Sequence, residues 1–353
     1  MRKPTLLLLV LAVALQVMAQ QVVLNRQHHF PHSVPAGNYS GITWLGGNRY
    51  AVVNDKSPTA GFYLMTIRTD SITGDILEVR ADTFLTSGQP NRDEEGICYV
   101  PQTIATPHSD QGSEIATPHS DQGSENATPH SDQRSENTLF VSGERDGQII
   151  EYGMDGQLTG RQLDIPEVFR TAYSNSGFEA LTYNAATGRF WTTTENALRA
   201  DHGESNKLRL QSFGNDLKPR EQYWYQTDSS AVHGRKGQSI LGVSGLAALD
   251  DGQLIVLERE VWKARKGIGS FVHVKLYVVH PASQQPGEML QKRLLTEFRT
   301  RINLTARSFA NYEGLCVGPA LADGRQLLVL VADSQNQYKG WLKDWFKTFV
   351  VAK

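Results

Sequence analysis

Short apolar stretches of strand length follow one another along this chain, each rich in β-branched and aromatic residues and bounded by Gly, Asp, Asn or Pro. GFYLMTIRTD, ILEVRADTFL, QIIEYGMDG, LRLQSFG, EQYWYQTD and HVKLYVVHP are of this kind, and such composition predicts strands. Between them stands a second, more regular pattern. A polar residue precedes a small residue, then come a short apolar strand, a turn, and a β-rich strand ending in an acid. Five segments carry it: SGITWLGGNRYAVVNDK, EGICYV with TLFVSGER, FEALTYNAATGRFWTTTEN, SGLAALDDGQLIVLER and EGLCVGPALADGRQLLVLVADS.

The small residues of these segments, Gly41, Gly96, Ala180, Gly245 and Gly314, stand 55, 84, 65 and 69 residues apart. The long second interval contains three near-identical copies of (I/N)ATPHSDQ(G/R)SE, a 33-residue tract at 104–136. It has no apolar periodicity and a net charge of −5, so it cannot bury enough surface to offset ordering and is expected to be a disordered loop. Its histidines, His108, His119 and His130, belong to the duplicated unit. Without this tract the interval falls to 51 residues, in line with the others. Four strands per unit of this length make a β-propeller blade. The fold expected over residues 20–353 is therefore an all-β propeller of five visible four-stranded blades, and the longer units leave room for a degenerate sixth. The last unit supplies only three strands. QVVLNRQHHF near the N-terminus has no place in the first unit, so pairing of the N-terminal and C-terminal strands is expected to close the ring.

In each hairpin the start of the first strand lies beside the end of the second. If the first strand lines the channel, both ends open on one face. Strand starts then bring Ser40, Glu95, Glu179, Ser244 and Glu313 to that mouth, and strand ends bring Asp55, Glu144, Glu195, Glu258 and Asp333. Crowded carboxylates repel, and burial disfavours their charge. A hard cation would compensate them, and Ca²⁺ tolerates an irregular set of oxygen ligands. Arg145, Arg259 and Lys56 follow three of the acids and could pair with them or hold an anionic substrate.

Charge and cysteine content narrow the remaining classes. Arg2 and Lys3, the apolar run over residues 6–17 and small residues before Ala19 read as a cleaved leader over residues 1–19. The protein is then exported, to the periplasm or beyond the cell. No apolar run is long enough for a membrane span, and membrane insertion is not expected. The formal charge of −2 becomes −4 without the two leader cations, and no basic tract remains, so nucleic acid is not an expected partner. The only cysteines, Cys98 and Cys316, occupy the same position in two units (EGICYV and EGLCVG) and are expected to stay unbridged, since equivalent strand positions in separate units are too far apart. HHFPH, with His28, His29 and His32, lies at or beside the closing strand, where surface or packing roles are expected.

SGITWL and NDK, DEEGICYV, SGER, GFEALTYN, TTEN, LER, and NYEGLCV with ADSQNQ occur in the order found in the phytase-like family, "esterase-like activity of phytase", which the chain resembles from about Gly37 to its last strand. The resemblance implies an exported β-propeller with recurring Glu and Asp residues, and a phosphoesterase or phosphodiesterase activity. A metal-assisted hydrolase of phosphate esters would use Asp55, Glu95, Glu179, Glu258, Glu313 and Asp333 as the set from which Ca²⁺ ligands are drawn. Glu144 or Glu195 would orient water as a general base, with Arg145 and Arg259 on the phosphate oxygens. Two other functions fit the same mouth: Ca²⁺-dependent hydrolysis of a carboxylic ester or lactone, and non-catalytic binding of a cation or cationic ligand. The Gly-x-Ser-x-Gly elbow of serine hydrolases is missing from the sequence.

Overall fold

The computed structural model describes residues 22–102, 136–201, 206–232, 237–265, 267–303 and 307–351. The expected leader and nearly all of the eleven-residue repeats lie outside them. Twenty strands form five four-stranded antiparallel sheets, the five blades expected from the sequence. The first strand, β1 (Val22–His29), is set aside for the last blade. Blade 1 is β2 (Tyr39–Gly46), β3 (Arg49–Asn54), β4 (Thr59–Thr69) and β5 (Ile76–Pro90). Blade 2 is β6 (Glu94–Val100), β7 (Thr138–Gly143), β8 (Gln148–Gly153) and β9 (Leu158–Gln162). Blade 3 is β10 (Phe178–Asn184), β11 (Arg189–Thr194), β12 (Lys207–Phe213) and β13 (Pro219–Gln226). Blade 4 is β14 (Gly237–Ala248), β15 (Leu254–Ala264), β16 (Phe271–Val279) and β17 (Lys292–Arg301). Blade 5 contains β18 (Asn311–Ala320), β19 (Gln326–Asp333) and β20 (Trp345–Val351), and its fourth, outermost strand is β1, antiparallel to β20.

The first strand of each unit lies innermost, and these five strands touch their neighbours all the way round, β2 on β6, β6 on β10, β10 on β14, β14 on β18 and β18 on β2. Each blade is covered on both faces, so its inner strands are nearly continuous in apolar residues, as in β7 (TLFVSG) and β19 (QLLVLVAD). The outermost strands β5 and β17 are largely open to solvent. The core is a set of apolar layers between blades, for example Ile255, Leu257, Val274 and Leu276 against Leu328, Leu330 and Phe349.

Small residues permit the tight inner ring. A Cβ on Gly41 would come within 2.1 Å of the Glu95 carbonyl oxygen, and one on Gly96 within 2.8 Å of Leu181. At each glycine the neighbouring inner strand approaches too closely for a side chain. Cys98 and Cys316 are buried on β6 and β18 and form no disulfide. Among the described residues no helix is long and apolar enough to cross a membrane.

Candidate functional site

All five inner strands are irregular at the same point. The pairing of β2 with β3 shifts between Tyr39 and Gly41, that of β6 with β7 between Glu94 and Ile97, and that of β10 with β11 between Phe178 and Ala180. The equivalent shifts lie between Val243 and Gly245 and between Tyr312 and Gly314. The residues inside these bulges are Ser40, Glu95, Glu179, Ser244 and Glu313. A bulge re-aims the side chain of its extra residue, and here the same device is repeated round one axis.

Just beyond each bulge the two strands make a last pairing. Asp55 donates its N–H to the Asn38 carbonyl, Glu144 to Asp93 and Glu195 to Gly177, while Asp333 lies opposite Asn311. In blade 4 the residue in this position is Arg259, opposite Gly242. Glu258 is one residue out of register. A strand alternates its side chains between faces, so Glu258 points away from the mouth. Its Oε1 accepts hydrogen bonds from Tyr225 Oη and Lys292 Nζ, both at 2.6 Å, and its Oε2 accepts one from the Asp228 N–H at 3.1 Å. Glu258 is therefore removed from the set expected at the mouth, and its place is taken by a cation.

The structure brings the other expected residues together. Glu95 and Glu179 are buried and Glu313 is partly buried beside them. Burial pushes each carboxyl well above the ordinary range, reinforced by Glu179 and Glu313 at Glu95, by Glu195 and Glu313 at Glu179, and by Asp333 and Asp55 at Glu313 against the pull of Arg259. Burial likewise raises Glu144 and Asp55, and pushes Asp333 up to about 7. Arg259 is the internal counter-charge, with Nη2 3.0 Å from Glu313 Oε1 and 3.2 Å from Glu195 Oε1. Burial opposes its charge, but Glu313 and Glu195 outweigh that effect and hold the guanidinium protonated. Gly242 makes room for this arrangement, since a Cβ there would lie 2.6 Å from the Glu195 side chain.

Arg145 has a more peripheral position than the sequence suggested. Its Nη2 bonds Asp93 Oδ2 at 2.9 Å, and Lys56 bridges Asp93 and Asp55, each at 2.9 Å. Asp93 and Asn311 were not among the expected site residues. Asn311 donates from Nδ2 to Glu313 Oε1 at 2.7 Å. Each precedes the repeated small residue by three positions, outside the acid-small pair that the sequence repeats.

Several oxygens here lack partners. Asp55 Oδ1 and Asn311 Oδ1 are buried without a hydrogen bond, as is Arg259 Nε. Glu95 and Glu179, 5% and 8% exposed, accept no hydrogen bond from any described residue. Buried polar groups are seldom left so. Uncharged amide and carboxylate oxygens are the donors a hard divalent cation prefers, so the chemistry of the site fits Ca²⁺. Among the described residues no three His, Cys, Asp or Glu side chains stand spaced to enclose a metal ion. A cation would thus depend on side chains that have no hydrogen bond to break when they turn towards it, Glu95 and Glu179 foremost. Below the acids the channel closes to a cavity of about 10 Å³ lined by Ser40, Glu179, Ser244 and Glu313, room for one water at most.

Comparison with known proteins adds a family. The family model described as "Phytase-like: Esterase-like activity of phytase" matches residues 34–335. No curated protein sequence matches the chain. Among solved structures, it is similar to an endo-arabinase from Bacteroides thetaiotaomicron VPI-5482, at 12% identity over 91% of this chain and 95% of that one, with a TM-score of 0.41. A streptogramin B lyase structure is also 12% identical, over 94% of this chain and 98% of that one, with a TM-score of 0.36. At these levels neither likeness bears on function.

Proposed function

The chain belongs to the phytase-like family, and from that premise we propose that it is an exported, metal-assisted hydrolase of phosphate esters acting at the acidic mouth of the propeller. The observation that carries this reading is the pair of buried oxygens without a hydrogen bond, Asp55 Oδ1 and Asn311 Oδ1, beside the buried residues Glu95 and Glu179. The Glu95 and Glu179 carboxylates, which among the described residues have no such partner as Lys56 is to Asp55, are held charged near neutral pH by a cation that joins them. Asp55, Asn311, Glu95, Glu179, Glu313 and Asp333 are the residues that would hold Ca²⁺. Bound there, it would polarise a phosphoryl oxygen and neutralise charge that develops on it.

The chain's own residues divide the remaining tasks. Arg259 balances Glu195 and Glu313, leaving Glu95 and Glu179 available to the cation. Glu144 stands at the outer edge, where its Oε1 accepts the Gly177 N–H at 3.2 Å, and would orient the attacking water as general base. Arg145 is mostly exposed and, among the described residues, pairs with no acid but Asp93, so it can exchange that pair for a phosphate oxygen at modest cost.

The test is hydrolysis of p-nitrophenyl phosphate, bis-p-nitrophenyl phosphate and p-nitrophenyl acetate by the mature protein, with Ca²⁺ and with chelator. Metal-dependent release from either phosphate ester supports the reading. Cleavage of the acetate alone moves the assignment to carboxylic esters. Inactivity on all three, with Ca²⁺ still raising the melting temperature, leaves a binding propeller.

A further inference from the structure

Resting on that reading, we infer that the cleft between blades 2 and 3 is the subsite for the organic group of the substrate, and that this group is a polar, ring-bearing one such as a nucleoside. Connections between consecutive blades run on the acidic face. The one from β9 to β10 has 15 residues, against 3 from β5 to β6, 10 from β13 to β14 and 9 from β17 to β18. Long ordered connections beside a site are where propellers and other scaffolds place recognition.

This connection is anchored rather than loose. Leu163 and Phe169 are buried with Phe178, Phe190 and Phe213, and the Phe169 and Phe178 rings stand 5.1 Å apart. A short 3₁₀ turn, Glu167–Thr171, forms the outer wall. Between it and the end of β7 lies a cleft of about 790 Å³ whose inner end is made by Glu144, Arg145 and Asp93 of the mouth. That volume suits an organic ligand of moderate size. Cleft and mouth are physically joined at Glu144, because the connection ends by donating the Gly177 N–H to its carboxylate.

The lining states what kind of group fits. Tyr173, 53% exposed, offers a ring face backed by the Arg199 guanidinium 4.9 Å from its centroid. Arg170 and Lys218 stand on the rim, paired with Glu167 and Asp164, and all four side chains are at least 60% exposed. Such pairs are worth little and can be exchanged for contacts with a ligand's hydroxyl or ring-nitrogen groups. One aromatic face and exchangeable polar side chains suit a stacked polar ring. A small alkyl phosphate would leave the cleft empty.

The test compares adenosine 5′-monophosphate with methyl phosphate in the full protein with Ca²⁺. Ser174→Trp places a large side chain in the cleft from an exposed position, and Tyr173→Ala removes the ring face. Each should lower kcat/KM for the nucleotide by about tenfold, the loss expected of one base–aromatic stack, and leave methyl phosphate within about twofold. Equal losses on both substrates, or none on the nucleotide, overturn the inference. If neither ester is cleaved, the hydrolase reading fails and saturation-transfer NMR of the nucleotide decides the cleft separately. Transfer to the adenine protons that is lost in Ser174→Trp upholds it. Absent transfer, or transfer unchanged by that substitution, ends it.

Discussion

Arg259 Nη2 lies 3.0 Å from Glu313 Oε1, across the boundary between blades 4 and 5. The same nitrogen reaches Glu195 of blade 3 at 3.2 Å, so one buried cation holds three blades together at the mouth. Breaking a buried pair by deleting one partner costs about 3–5 kcal/mol. Arg259→Met should lower stability by that order in urea unfolding with chelator present, and Ca²⁺ should restore much of the loss. A methionine variant as stable as the parent without metal would show that the two acids do not need the arginine.

Glu258 provides the complementary test. It bonds Tyr225, Lys292 and the Asp228 N–H on the outer side of its blade. Glu258→Gln should cost about 2–3 kcal/mol, mainly by weakening the bonds from Tyr225 and the Asp228 N–H to a buried carboxylate, since Lys292 keeps Asp228 at 2.8 Å. The rise in melting temperature on adding Ca²⁺ should be the same as in the parent. A reduced Ca²⁺ response would return Glu258 to the mouth.

These two neighbours show what the sequence could and could not reveal. The hairpins were legible because strand composition and the acid-small pair recur together, and the pair recurs for a steric reason: the small residue lets the next inner strand approach, and the bulge beside it turns the acid to the axis. In blade 4 the acid nearest the expected position misled. Spacing could not decide it, since Gly41 to Asp55 and Gly245 to Arg259 are both 14 residues but Ala180 to Glu195 is 15 and Gly314 to Asp333 is 19. Asn311 and Asp93 carry no such signal, because their contribution depends on which carbonyl or carboxylate faces them across the pairing, and no local pattern records that. The wall of the cleft was equally hidden, for its 15 residues have neither strand nor helix periodicity.

Close approach of the inner strands predicts a steric outcome. Gly41 has an ordinary backbone conformation, so Gly41→Ala would be harmless on an open surface. Here its Cβ would lie 2.1 Å from the Glu95 carbonyl oxygen and 2.9 Å from the Val53 side chain. Backbone must shift, and overpacking of this kind costs about 1–3 kcal/mol. Denaturant unfolding should register that loss, along with weaker Ca²⁺ stabilisation because Glu95 moves with its strand. An alanine variant equal to the parent in both would mean that blades 1 and 2 are not so tightly apposed.

The raised carboxyls give stability a pH dependence whose sign is opposite to that of ordinary salt-bridged acids. Burial, then repulsion from Glu195 and Glu313, lifts Glu179 well above the carboxylate range, and burial brings Asp333 to about 7. An unfolded chain releases these protons near pH 4. The folded chain therefore holds more protons above that point, and each group's contribution is present below about pH 4 and is lost as pH climbs through its folded value. Without divalent cation, Glu179→Gln should be increasingly more stable than the parent from pH 5 to pH 8, by on the order of 2 °C in melting temperature for each kcal/mol. Comparing parent with variant cancels the titration of His29 and His273, whose lowered values act in the opposite direction. Ca²⁺ must displace the same protons, so its affinity for the parent should rise over this range, and the advantage of the glutamine variant should shrink or reverse when the ion is added. Melting curves at several pH values with chelator and with Ca²⁺ measure both effects. A parent-to-variant difference that does not change with pH would mean that Glu179 is already charged and compensated within the protein, and the case for a cation at the mouth would fall with it.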